Sequence, residues 1–128
     1  MLYKSLAAGV FAFGLTTFAS ASLIFTSSYG LTAPPGFLTT IKYTDGKLEI
    51  VNNQTDLGLA NPSWLEFAGD HIFCVDEVWS PGDVGALFSL QFAKDGTKFT
   101  QKKKLETLGG PVSTVRYGQN LKGLAVAA

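Results

Sequence analysis

The feature that most constrains this chain is a repeat of about 50 residues. Ile24-Phe25 recurs as Ile72-Phe73, Asp45-Gly46 as Asp95-Gly96 and Pro62 as Pro111, and Phe67 is matched by the aromatic Tyr117. These landmarks are independent of one another, yet their offsets all fall between 48 and 50 residues. Around them the order of elements is the same. Residues 23–28 read as a strand, followed by a loop containing Pro34-Pro35-Gly36. Residues 37–43 alternate Phe37, Thr39, Ile41 and Tyr43 against Leu38, Thr40 and Lys42, as a half-buried strand does. Thr44-Asp45-Gly46-Lys47 is a hairpin signal leading to a return strand over residues 48–51, and residues 52–60 are a polar connection.

The second unit adds a strand at its start. Asn61-Pro62 is a turn signal that opens a strand reaching Ala68, and Gly69-Asp70 turns it into an apolar strand over residues 72–76. A loop with Ser80-Pro81-Gly82-Asp83, a strand over residues 86–92, a turn at Lys94-Asp95-Gly96-Thr97 and a return strand over residues 98–105 complete it. The third unit has a strand over residues 112–117, a turn at Gly118-Gln119-Asn120 and an apolar end at Leu124-Ala125-Val126. A recurring unit of four short strands is the signature of a β-propeller blade, because one small twisted sheet cannot bury both faces and must stack on a neighbour. The expected fold is therefore all-β: blades of four antiparallel strands, the first lacking its innermost strand and the third holding its inner two. About two and a half blades cannot close a ring, which needs at least about four. Residues 22–128 accordingly read as the N-terminal, truncated part of a propeller. A small β-sandwich binding module is the competing arrangement.

Residues 1–21 are set apart from the fold. Lys4 gives a weakly positive start, residues 6–18 are an uncharged apolar run, and Ala19-Ser20-Ala21 matches the small-x-small cleavage pattern. A secretory signal is expected, cut between Ala21 and Ser22. The apolar run is too short for a comfortable bilayer span, so no membrane attachment is expected once it is removed. An extracellular location is also consistent with the sequon Asn53-Gln54-Thr55, a glycosylation acceptor at Asn53; Asn61-Pro62-Ser63 is excluded by its central proline. Cys74 is the only cysteine, which rules out an internal disulfide, and its apolar neighbours Phe73 and Val75 mark it as a small buried hydrophobe. Ten basic and ten acidic residues cancel, so no net field draws the chain to nucleic acid.

Blade topology sorts the candidate ligand-facing residues. The connection into an innermost strand and the connection between second and third strands lie at one end of a blade, which places Asn61 and Glu77 together and His71 at the opposite end. Adjacent carboxylates at a strand end beside Trp79 suit a hydroxylated ligand or proton transfer, so Asn61, Asp76, Glu77 and Trp79 form the candidate set. Neighbouring side chains on a strand point to opposite faces, however, and a carboxylate capping backbone amides is the plainer role for Asp76-Glu77. His71 is the only histidine, leaving no histidine cluster for a metal and no catalytic triad. Arg116, the only arginine, suits a carboxylate or phosphate, but its alignment with the Phe67 region favours a place in the wall between blades. Lys102-Lys103-Lys104 fall on an outermost strand, where lysines guard an exposed edge. No glycine-rich phosphate fingerprint is present and no cofactor is expected.

Taken in order, Asn61-Pro62-Ser63-Trp64-Leu65, Phe73-Cys74-Val75-Asp76-Glu77, Lys94-Asp95-Gly96 and Leu108-Gly109-Gly110-Pro111-Val112-Ser113 resemble the lactonase family of seven-bladed β-propellers. That family contains 6-phosphogluconolactonases and the fungal carboxy-cis,cis-muconate cyclases, and this sequence looks most like its secreted fungal members. The resemblance implies a lactone hydrolase or lactone-forming cyclase in a full-length relative, with a small lactone or carboxylate as ligand. The catalytic histidine, arginine and glutamate of the cyclases lie in later blades, so no position here inherits those roles, and the expected product is an incomplete, inactive part of such an enzyme. A binding propeller without catalysis is the alternative.

Overall fold

A computed structural model describes residues 21–30, 35–78 and 82–128. Among them are nine strands: β1 (Ser22–Ser28), β2 (Phe37–Thr44), β3 (Lys47–Gln54), β4 (Pro62–Ala68), β5 (His71–Asp76), β6 (Ala86–Phe92), β7 (Phe99–Glu106), β8 (Ser113–Tyr117) and β9 (Gly123–Ala127). They form three separate sheets in chain order, β1-β2-β3, β4-β5-β6-β7 and β8-β9, and every pairing is antiparallel. This is the three, four and two division that the repeat demands, and the fold is that of successive propeller blades. All of the expected leader except Ala21 lies outside the described residues, as does Trp79.

The repeat extends below the level of strands. The pairing of β2 with β3 slips between Thr40 and Ile41, and that of β6 with β7 slips between Ser89 and Leu90, at equivalent positions 49 residues apart. Each slip leaves an extra residue on the outermost strand, which bends and twists it. In the first sheet the slip lets pairing continue through Asn52, Asn53 and Gln54, so β3 runs past the expected limit at Val51 and takes in the sequon asparagine.

The two Asp-Gly turns are built differently. Asp45 and Gly46 both have positive φ, 50° and 79°, as a two-residue type I′ hairpin requires. At the second, the Asp95 carboxylate accepts from the Thr97 amide at 3.1 Å and the Thr97 hydroxyl at 2.7 Å, giving a longer loop closed by the Ala93 amide on the Lys98 carbonyl. That loop leans on the first sheet: a side chain at Gly96 would meet Thr40 and Leu23. The turn expected over residues 118–120 is a short 3-10 segment, Gln119–Leu121.

The core lies between the first two sheets. Leu38, Ile72, Cys74, Phe88, Leu90 and Phe99 are buried there, joined by Leu57 and Leu59 from the connection between sheets. Phe25 sits at the centre of an aromatic group, with ring centroids 4.8 Å from Phe92, 5.6 Å from Phe99 and 6.3 Å from Phe67. A second joint links β3 to β7, where the Gln54 amide donates to the Phe99 carbonyl at 3.0 Å and its oxygen accepts from the Phe99 amide at 2.7 Å. A third joint repeats. Gly36 packs on Pro62 and Gly85 on Pro111, and an added Cβ would stand 2.3 and 2.2 Å from the respective proline Cδ atoms. The proline that opens each inner strand thus fits against a glycine that opens the third strand of the preceding blade.

Candidate functional site

The candidate acidic site forms where β4 begins and β5 ends. Pro62 pairs with Asp76, and because proline has no N–H the pairing slips just beyond it, between Pro62 and Trp64. The approach to the proline leaves two amides in need of an acceptor, and Asp76 supplies it. Its Oδ1 accepts from the Ala60 amide at 2.9 Å and the Asn61 amide at 2.6 Å, and its Oδ2 is 3.1 Å from the Ala60 amide. Only 5% of Asp76 is exposed, so a lost partner would leave buried polar groups without compensation. The Glu77 amide donates to the Asn61 carbonyl at 2.9 Å, which fixes both residues at the same end of the sheet.

Glu77 faces a different way from Asp76. Its Oε2 accepts from the Tyr29 hydroxyl at 3.1 Å, across the gap between the first two sheets. Burial raises the Tyr29 pKa, and the hydrogen bond and the negative charge of Glu77 raise it further, so the phenol stays protonated and donates. The two neighbouring carboxylates therefore do not act on one another: one holds backbone, the other holds a phenol at a partly exposed rim. Tyr29 is absent from the sequence candidates, although it stands 48 residues before Glu77, at the repeat offset. Asking what occupies the equivalent position in the first unit would have found it. Glu77, Tyr29 and Asn61 can offer acceptors and a donor to a hydroxylated ligand at this rim.

Cys74 is fully buried on β5, and burial, followed by the nearby Asp76 charge, pushes its thiol pKa well up, which suits a packing role and not a nucleophile. At the far end of the same hairpin, His71 Nδ1 lies 2.6 Å from Asp70 Oδ1, and the Gln91 amide donates to Asp70 Oδ2 at 2.9 Å. Arg116 sits in the seam between the second and third sheets. Its Nε and Nη2 donate to the Leu121 carbonyl at 3.1 and 3.0 Å, and its Nη1 is 3.5 Å from the Phe67 carbonyl. Lys102, Lys103 and Lys104 are exposed on the outermost strand β7. Among the described residues no three His, Cys, Asp or Glu side chains gather as metal ligands would, and no helix is long and apolar enough to cross a membrane.

Successive antiparallel sheets of up to four strands, joined side by side at a recurring glycine-proline contact, have the arrangement of β-propeller blades. The chain belongs to the lactonase family of seven-bladed β-propellers, whose family model matches residues 25–128. Its fold is similar to the crystal structure of a candidate 6-phosphogluconolactonase from Bacteroides fragilis, with a TM-score of 0.66 over 88% of this chain and 19% sequence identity. This chain spans 30% of that protein's length. No curated protein sequence matches it. Family membership displaces the β-sandwich alternative.

Proposed function

We propose that this chain forms the opening blades of a secreted, lactone-acting propeller, and that its own rim of Tyr29, Asn61 and Glu77 faces a small lactone or carboxylate ligand. The observation that carries the reading is the family match over residues 25–128, together with a sheet order of successive propeller blades. In this reading Asp76 shapes the rim by fixing Ala60 and Asn61, Trp79 follows two residues after Glu77, and the groups that activate water or an enol come from blades beyond these. The chain by itself binds and does not turn over lactone. The test is a pair of assays. Residues 22–128 should show no hydrolysis of 6-phosphogluconolactone above buffer, whereas a full ring carrying Glu77→Gln should show a raised KM with kcat largely kept. Turnover by residues 22–128, or an unchanged KM in the ring, would remove the corresponding half of the proposal.

Secretion is part of the same reading. It is supported by the leader pattern of residues 1–21 and by the position of Asn53, which is exposed on β3 with Oδ1 accepting from the Thr39 hydroxyl at 3.1 Å. Cleavage before Ser22 would leave β1 whole, since Ser22 is its first paired residue, opposite Tyr43. Expression in a eukaryotic secretory host should give a medium protein beginning at Ser22, with a glycosidase-sensitive mass that disappears in Asn53→Gln. Retention in the cell with Met1 intact would refute it.

A non-enzymatic binding propeller is the second reading, favoured by the commitment of Asp76 to backbone and of Glu77 to Tyr29. A full ring that binds a lactone without converting it would establish that reading.

A further inference from the structure

A second site lies at the opposite end of the blades from the acidic rim. Between the β4–β5 hairpin and the third sheet is a cleft of about 320 Å³, lined by His71, Arg116, Asn120 and Lys122 with Phe73 and Leu124 at its apolar wall. No carboxylate lines it. Arg116 is pinned there by main-chain carbonyls, which orient the guanidinium without neutralising its charge. Among the described residues neither Arg116 nor Lys122 forms an ion pair. Asp70, the nearest acid in sequence, lines a separate cleft with Lys94 and Lys98 and is engaged by Gln91 and His71. Its contact with Nδ1 fixes the imidazole, whose Nε2 has no protein partner among the described residues. A held arginine, an unpaired lysine, an oriented imidazole and an amide around one acid-free cleft make a surface with a surplus of positive charge and of donors.

We propose that this cleft binds the oxyanion group of a small ligand, a phosphate ester or a carboxylate, through Arg116, Lys122 and His71. The N–H groups of Nη1 and Nη2 that Leu121 and Phe67 do not use suit an oxyanion, and pre-orientation by those two carbonyls lowers the ordering cost of binding. Phe73 and Leu124 would meet the carbon skeleton. The site is independent of the acidic rim, so its failure would leave the lactone reading untouched.

Because His71 is the only histidine, its ring signals report on this cleft without ambiguity in a labelled sample of the whole chain. Inorganic phosphate and gluconate serve as probes, glucose as the neutral control and sodium chloride as the ionic-strength control. Saturable movement of the His71 signals with phosphate, gluconate or both is expected, with the stronger probe naming the oxyanion, and none with glucose. Lys122→Gln and Arg116→Lys should each weaken the stronger probe by about tenfold, the effect of losing one charge-assisted contact. Lys47→Gln removes the same charge from the β2–β3 turn of the first sheet, which does not line the cleft, and should change nothing. Lys122 is exposed, so its variant carries the test if Arg116→Lys disturbs the third sheet. A non-saturating shift matched by sodium chloride, or full binding retained in Lys122→Gln, would overturn the site.

Discussion

At the scale of single residues, Asp76 and Glu77 are neighbours in sequence with separate partners, backbone amides for the one and the Tyr29 phenol for the other. Both were visible as acids at a strand end, but the amides that Asp76 caps belong to a connection 15 and 16 residues earlier, and nothing local announces that partnership. Asp76→Ala should destabilise the fold by about 1–3 kcal/mol, because two partly buried amides lose their acceptor. Glu77→Gln, at a partly exposed rim, should stay within about 0.5 kcal/mol of the parent. Chemical denaturation of the two variants checks both, and equal effects would contradict the separate roles assigned here. Asp70 offers a pH test. Hydrogen bonds from Gln91 and then His71 lower its pKa below the ordinary 3.8. A carboxyl depressed in the folded state stabilises it above the unfolded pKa, and that contribution is lost as pH falls through the folded value. The Asp70 carboxyl should therefore titrate below 3.8 by NMR and move back toward it in Gln91→Leu.

At the scale of elements, strand positions were legible because alternation and turn residues are local properties. The strand over residues 86–92 and the Pro62 start of β4 fall where pattern and proline put them. What was not legible depends on a neighbour. The length of β3 follows from a slip in its pairing with β2, and the longer second turn follows from Thr97 capturing Asp95 while Gly96 leans on Thr40. Joints between sheets were likewise hidden, apart from the recurring prolines. Those joints make a prediction. Gly85→Ala places a methyl group 2.2 Å from Pro111 Cδ and should cost about 1–3 kcal/mol through forced displacement of the third sheet. Gln54→Leu, which breaks two bonds to the Phe99 main chain, should cost about as much through unsatisfied backbone. Thermal unfolding of each variant is the measurement, and a parental Tm in both would mean the sheets are not held together at these points.

At the scale of the whole molecule, the period of about 50 residues carried more information than any motif, since it specified what must pack on what. It implied the three, four and two arrangement and the sidewise stacking that the structure displays. Ligand chemistry was much less legible. The rim and the opposite cleft both gather residues from different blades, so Tyr29 meets Glu77, and Arg116 and His71 line one cleft, only once the sheets are stacked. The exposed apolar residues Leu48 and Ile50, 66% and 68% exposed on β3, belong to the same picture, because a blade is built to have both faces covered.

The blades stack through one recurring joint, and the most direct test is proton–proton proximity across it. Nuclear Overhauser contacts from the Pro62 δ-protons to the Gly36 α-protons, and from the Pro111 δ-protons to the Gly85 α-protons, are both expected in the folded chain. Finding the two contacts together would show the same inter-blade joint made twice, once per repeat. Their joint absence in a folded sample would contradict the propeller arrangement of these sheets.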